Sequence, residues 1–196
     1  MNKTELYLAN TKRKNEEARY GTYEEYLESL EMVASIDSFS PMYVQRIAQL
    51  TNKSNQFNLT TMRCTEEDIR SMMLSKDWLT LSGRLKDKFG DNGLVSVVSG
   101  QLQDKSLHIR LWLMSCRVLK RNLEYAMMNT LIDICKKQGI SEVIGYYYPT
   151  AKNGMVKDFY RNFNFELIEK QDNKMIWKLD VCKYEEKHTH ILIMEE

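Results

Sequence analysis

The sequence predicts an α/β fold: a mixed central sheet flanked by helices and preceded by a helical extension. Three observations carry that expectation. Residues 107–114, LHIRLWLM, alternate with the period of a strand, setting Leu107, Ile109, Leu111 and Leu113 on one face and His108, Arg110, Trp112 and Met114 on the other. From Cys116 onward the period lengthens to that of a helix, with Leu119, Leu123, Met127, Leu131, Ile134 and Cys135 on one stripe that ends at Gly139. Further strand-like runs lie on both sides of this helix: WLTLSGRL and LVSVVSG before it, and EVIGYYY, FELIEK and KMIWKL after it.

Taken in order, residues 2–30 are charged and tyrosine-rich and read as one or two exposed helices, with TYEEYLESLEM the stronger; residues 1–31 are therefore assigned to a helical connector and 32–196 to the main domain. A short strand, MVASIDSF, precedes PMYVQRIAQLTNK, in which Ser40 suits an N-cap and Pro41 the first helical position. The polar stretch SNQFNLTTMRC leads to TEEDIRSMML, where Thr65 is the cap and the acids of the first turn complement the helix dipole. DNG within KFGDNG is a turn signal between two strands. KDFYRNF reads as a short helix before the closing strand pair.

With 196 residues and 43% hydrophobic content, the chain holds one sizeable core. A formal net charge of +1 gives no global attraction to nucleic acid, so electrostatic recognition falls to local patches. Cysteines at 64, 116, 135 and 182 show no CxxC spacing, which fits a reducing cytoplasm. No apolar run approaches a membrane span, and the N-terminus lacks the apolar region of a signal peptide.

The element order of strand, two helices, three strands, long helix, strand, short helix and two strands resembles the GNAT acyltransferase fold over about residues 32–180. In that fold the strand before the long helix splays from its neighbour, and coenzyme A lies in the gap with its pyrophosphate at the helix N-terminus. Three phrases carry a closer resemblance: TNKSNQFNLTT at 51–61, LMSCRVLKR at 113–121 and PTAKNGMVKDFYRNFNF at 149–165. In this order they are similar to the C-terminal region of FkbH-like proteins, which join a HAD-type phosphatase domain to a GNAT-like domain. The resemblance implies loading of a glyceryl unit onto the phosphopantetheine thiol of an acyl carrier protein. The Asp-x-Asp motif of a HAD domain is missing, so the phosphatase is expected as a partner, in cis or in trans, and this chain as the second half of a longer protein or a split partner.

Several residues are candidates for chemistry. Cys116, at the strand-to-helix junction beside Arg117, Lys120 and Arg121, suits a nucleophile with a favoured thiolate. RVLKRN parallels the GNAT pyrophosphate loop: Arg117 matches, whereas Lys120 and Asn122 stand where glycines allow phosphate oxygens to approach the backbone. Coenzyme A or carrier-bound phosphopantetheine is the cofactor implied, held by Met114, Arg117, Val118, Leu119, Lys120, Arg121 and Asn122. By the same resemblance Asn153 contacts the pantetheine arm and Tyr160, seven residues on, protonates the departing thiolate. Asn55, Gln56, Asn58, Thr60 and Thr61 form a polar cluster suited to a hydroxylated acyl group. No metal site is expected, because His188 and His190 have no further ligand in sequence; His108 shares a strand face with Arg110, where relatives often carry an acid, which weakens an acid/base role there.

Two mechanisms stay open on this reading. In one, Cys116 is acylated, with backbone amides near residues 113–119 stabilising the oxyanion; in the other, transfer is direct with Tyr160 as acid. A catalytically degenerate docking module for the carrier or the phosphatase domain is the rival class.

Overall fold

The structure, a computed structural model, describes residues 3–194. Two helices, α1 (Lys3–Glu17) and α2 (Tyr23–Ser29), precede strand β1 (Met32–Asp37). Helices α3 (Val44–Lys53) and α4 (Glu66–Leu74) follow, then β2 (Trp78–Asp87), β3 (Gly90–Gln103) and β4 (Ser106–Met114). The long helix α5 (Leu123–Lys137) leads to β5 (Glu142–Tyr147), β6 (Glu166–Gln171), β7 (Lys174–Asp180) and β8 (Ile191–Met194). The sheet is mixed, in the order β6-β7-β5-β4-β3-β2-β1-β8, with β4/β5 and β1/β8 parallel. Strand β8 was not expected, being a four-residue apolar run behind a charged stretch.

Capping residues act where the sequence places them. Thr65 accepts from the Asp68 amide while the Asp68 carboxylate accepts from the Thr65 amide, and Thr22 and Glu25 form the same box on α2. Pro41 opens a single 3-10 turn before α3, but the Ser40 side chain makes no capping bond. The N-terminal helices are not a separate layer: Tyr26 and Leu27 of α2, and Leu30 at its C-cap, are buried in the main core with β1, β2 and α5. Arg13 of α1 is buried against Asp87 at the end of β2, 2.8 Å away.

Three places depart from the sequence reading. The turn between β2 and β3 is Lys88–Phe89, not DNG; Asp91, Asn92 and Gly93 lie inside β3 at a register shift, with Gly93 left-handed at φ 68°. In β4 the register to β3 jumps from Gly100↔Ile109 to Ser99↔Leu111, leaving Arg110 as a bulge. The bulge inverts the alternation. Leu107 and Ile109 face the main core, but beyond Arg110 it is Trp112 and Met114 that join them, while Leu111 and Leu113 pack with α3 and α4 on the other face. KDFYRNF holds a 3-10 turn at Tyr160–Phe163, following another at Gly154–Val156, rather than an α-helix.

Candidate functional site

The parallel strands β4 and β5 pair from Ser106↔Glu142 to Ile109↔Gly145 and then part. Two buried strand ends with unpaired backbone groups would result, which a folded chain does not leave unsatisfied. Here the chain itself supplies the partner. Residues 57–60, from the connection between α3 and α4, lie between the parted strands. The Leu59 amide donates to the Trp112 carbonyl and the Met114 amide to the Phe57 carbonyl, both at 3.0 Å; the Tyr148 amide, just past β5, donates to the Leu59 carbonyl at 2.9 Å. Asn58 forms an isolated antiparallel bridge with Leu113, and the Thr60 hydroxyl donates to the Arg110 carbonyl at 2.7 Å. The bulge at Arg110 therefore turns β4 out of register where the inserted segment meets it.

Asn153 closes this arrangement from below. Fully buried, its Nδ2 donates to the carbonyls of Asn58 and Tyr148 at 2.9 and 3.0 Å, and its Oδ1 accepts from the Tyr147 hydroxyl and the Thr150 amide. Every donor and acceptor of this amide is engaged within the chain, so it has no free donor for a pantetheine arm. Tyr160 is equally enclosed. Its ring lies on the backbone of β5 so closely that a Cβ on Gly145 would sit 2.4 Å from it. Its hydroxyl is buried over the Tyr146 backbone without a hydrogen bond, and burial pushes it far above the usual tyrosine range. That hydroxyl is sealed within the core.

At the end of β4 the environment reverses. The Ser115 amide is bonded to the Val95 carbonyl at 2.7 Å, yet Cys116 is exposed. The expected helix N-terminus is not beside it: Cys116–Val118 form one 3-10 turn, and α5 starts at Leu123. The long helix therefore does not direct its dipole at Cys116, and the charged groups near it are those of the adjoining clefts. The intervening loop nonetheless keeps the backbone expected of glycines: Lys120 and Asn122 are left-handed, at φ 65° and 62°. Several of the proposed phosphate and oxyanion contacts are engaged elsewhere. Met114 and Val118 are buried, and the amides of Met114, Ser115 and Val118 donate to Phe57, Val95 and Ser115. Arg121 is buried in a pair with Asp87 at 2.9 Å, shared with Arg13, and also donates to the Arg117 carbonyl. Of the three cations, Arg117 and Lys120 remain for a ligand.

Cys116 stands at the junction of two clefts. One, of about 460 Å³, is lined by Arg46, Leu50 and Lys53 of α3, residues 54–57, Ser115, Arg117 and Lys152. The other, about 490 Å³, lies between α1, α2 and the 116–121 loop, where Tyr23 donates to the Lys120 carbonyl at 2.8 Å. The first holds four cations and no carboxylate. Burial, and next the proximity of Arg117, lower the affinity of the Arg46 guanidinium for its proton, and the guanidinium donates to the Leu94 carbonyl. Arg46, Lys53 and Lys152 were not singled out from the sequence, although Arg46, Leu50 and Lys53 share one face of α3 at i, i+4, i+7.

The polar cluster divides. Asn55 and Gln56 line the first cleft, with Asn55 held by Arg63. Asn58, Thr60 and Thr61 are structural: the Asn58 amide donates to the Ser54 carbonyl and accepts from the Thr61 amide. Cys64 and Cys135 are buried, pushed up to about 11 and about 12 by desolvation. His108 bonds the Tyr146 hydroxyl at 2.8 Å beside Arg110, which lies over the Tyr146 ring. His188 and His190 do gain a neighbour, Glu24, with donor atoms within 4.8 Å of one another on mostly exposed side chains.

No family model and no curated protein matches the sequence. Solved structures do match. The ribosomal-protein-S18-alanine N-acetyltransferase from Escherichia coli aligns over 76% of this chain and 94% of its own at 13% identity, with a TM-score of 0.59. An acetyltransferase of the GNAT family from Streptococcus pneumoniae aligns over 75% and 98% at 13% identity, TM-score 0.58. The fold is that of the GNAT acetyltransferases. PaiA N-acetyltransferase from Thermoplasma acidophilum, solved in complex with coenzyme A, shares the GNAT fold at 18% identity over 75% of this chain and 98% of its own, TM-score 0.56. At these identities the likeness is one of architecture.

Proposed function

We propose that this GNAT-fold chain transfers an acyl group, a glyceryl or related unit, to the phosphopantetheine thiol of an acyl carrier protein by way of Cys116. The observation that carries the reading is the exposed Cys116 thiol between two cation-lined clefts, beside a polar wall of Asn55 and Gln56 suited to a hydroxylated acyl group. The Cys116 thiolate attacks the carbonyl carbon of an activated donor, a tetrahedral oxyanion forms, and the donor's leaving group departs with the bonding electron pair. The carrier's thiolate then attacks the acyl-cysteine carbonyl and Cys116 leaves as thiolate; the proton of the carrier thiol passes to solvent. With the amides of Met114, Ser115 and Val118 engaged, stabilisation of the oxyanion falls to the cleft's cations. The resemblance to FkbH-like proteins supports the glyceryl unit, the carrier and a HAD-type phosphatase as the partner that supplies the donor.

The filled gap between β4 and β5 favours a second reading, a docking module without chemistry. Intact-mass analysis of a pantetheinylated carrier incubated with this chain, the phosphatase partner and a phosphorylated three-carbon acid separates them. A glyceryl mass increment on the carrier that depends on this chain supports transfer; no increment while the carrier co-elutes with the chain supports docking.

A further inference from the structure

We infer that residues 57–60 are a built-in occupant of the opening between β4 and β5, latched by Asn153, and that they set the specificity of the site: thioester ligands reach Cys116 along the surface clefts and are never read between the strands. This deepens the proposed function, and its test reads binding and amide exchange, so either can fail alone.

The argument starts from hydrogen bonds. An arm lying between the two strand ends needs the Trp112 carbonyl and the Met114 amide on one side and the Tyr148 amide on the other, and all three are bonded to Phe57 or Leu59. Entry would break these bonds and expose Leu59, which is completely buried, together with Phe57, whose ring meets Phe159 edge-on at 5.5 Å. Asn153 supplies the latch, since its Nδ2 joins the carbonyl of Asn58 on the insert to that of Tyr148 on the far side, and its Oδ1 is fixed by Tyr147 and Thr150. The insert is thus hydrogen-bonded on both edges, like an interior strand. The first cleft at Cys116 reaches the insert only at its first residue, Phe57: neither cleft is lined by any residue of 58–60, 107–114 or 142–148. Segment and latch together make the opening part of the core, and they separate this chain's thioester chemistry from any that threads a pantetheine arm through the sheet.

The experiment is amide hydrogen exchange on the full chain, free and with coenzyme A in large excess, alongside calorimetry. Protection at Leu59, Met114 and Tyr148 is expected to stay within about 2-fold whether or not coenzyme A gives a heat of binding, because a ligand at the clefts leaves these bonds intact. Deprotection or displacement of these amides by coenzyme A, in step with the calorimetric isotherm, overturns the inference. For the latch, Asn153→Ala is expected to speed exchange at Leu59 and Tyr148 by at least about 10-fold, the effect of losing one buried hydrogen bond, with Leu107 and Ile109 unchanged. Should that variant fail to fold, Asn153→Asp keeps the two acceptor contacts and removes the two donors, and the same local acceleration is expected. Unchanged exchange at Leu59 in a folded variant overturns the role of Asn153.

Discussion

On either side of Ser115 the chain is built in opposite ways. Before it, the end of β4 is dry: Trp112, Leu113 and Met114 are buried, their backbone is bonded on both edges, and the inserted segment, Asn153 and Tyr160 fill what the parting of β4 and β5 opens. After it, Cys116 is exposed between two clefts, and the charged side chains on the wall of the first are all cations. A buried polar group with all its partners present, as the Asn153 amide has, is stabilising and inert, whereas like charges held together without an anion are costly until a ligand arrives. The contrast puts structure before Ser115 and chemistry after it. It also reverses the roles that resemblance alone assigns to Asn153 and Tyr160.

The largest expected effect breaks the comparison at its centre. Cys116→Ala removes the nucleophile from an exposed site, so steady-state transfer should fall by at least about 10³-fold while stability stays within about 0.5 kcal/mol. Retained transfer would move the chemistry elsewhere. Arg117→Ala sharpens the electrostatic half. It should raise KM about 10-fold with a small change in kcat, and should weaken the salt dependence of KM, because an exposed cation acting on an anionic ligand is screened.

Alkylation near neutral pH is expected to follow the order of exposure and charge. Cys64 and Cys135, raised to about 11 and about 12 by burial, stay protonated thiols in the folded protein. The stability they contribute is complete below the ordinary thiol range and is lost as pH rises through their folded values. Both should label only on unfolding. Cys182 is exposed, but its hydrogen bond to Asp180 raises it and so lowers its thiolate fraction; Cys116 should label several-fold faster. Peptide mass mapping reads the order, and Cys182 leading would remove the special status of Cys116.

The smallest effect is diagnostic for that reason. Tyr160→Phe deletes a buried hydroxyl without a partner, so transfer should change by less than about 2-fold and stability should hold or rise by up to about 1 kcal/mol. A loss in kcat with stability intact would restore Tyr160 as the acid of a direct transfer.

How much of this could be read in the sequence depends on the range of the interaction concerned. Local signals served well: the capping box at Thr65, Pro41 at its turn, the stripe of α5 and the position of every strand up to β7 follow from neighbours within a few residues. Two local signals misled because a bulge has no marker in period: Arg110 flips the face of β4, and DNG lies in β3 at a register shift. Cys116 was legible as a junction residue, but its setting was not, since the loop from Leu119 to Asn122 breaks the helical stripe by two left-handed residues, Asn122 and Lys120, and lysine rarely adopts that conformation. The insert was not legible at all. Its polar residues look like a ligand wall, and only pairing across more than 50 residues, Leu59 with Trp112 and Asn153 with Asn58, shows that Asn58, Thr60 and Thr61 hold the chain to itself.

The central claim, that the acyl group is carried on the exposed side of Ser115, is tested most directly by trapping the intermediate. The full chain, the phosphatase partner and the acyl donor are incubated without carrier, quenched in acid, digested and mapped by mass. The account predicts one acyl increment on the peptide bearing Cys116, removed by adding pantetheinylated carrier and absent from Cys116→Ala. An unmodified Cys116 in a mixture that, once carrier is added, loads that carrier at full rate would contradict it.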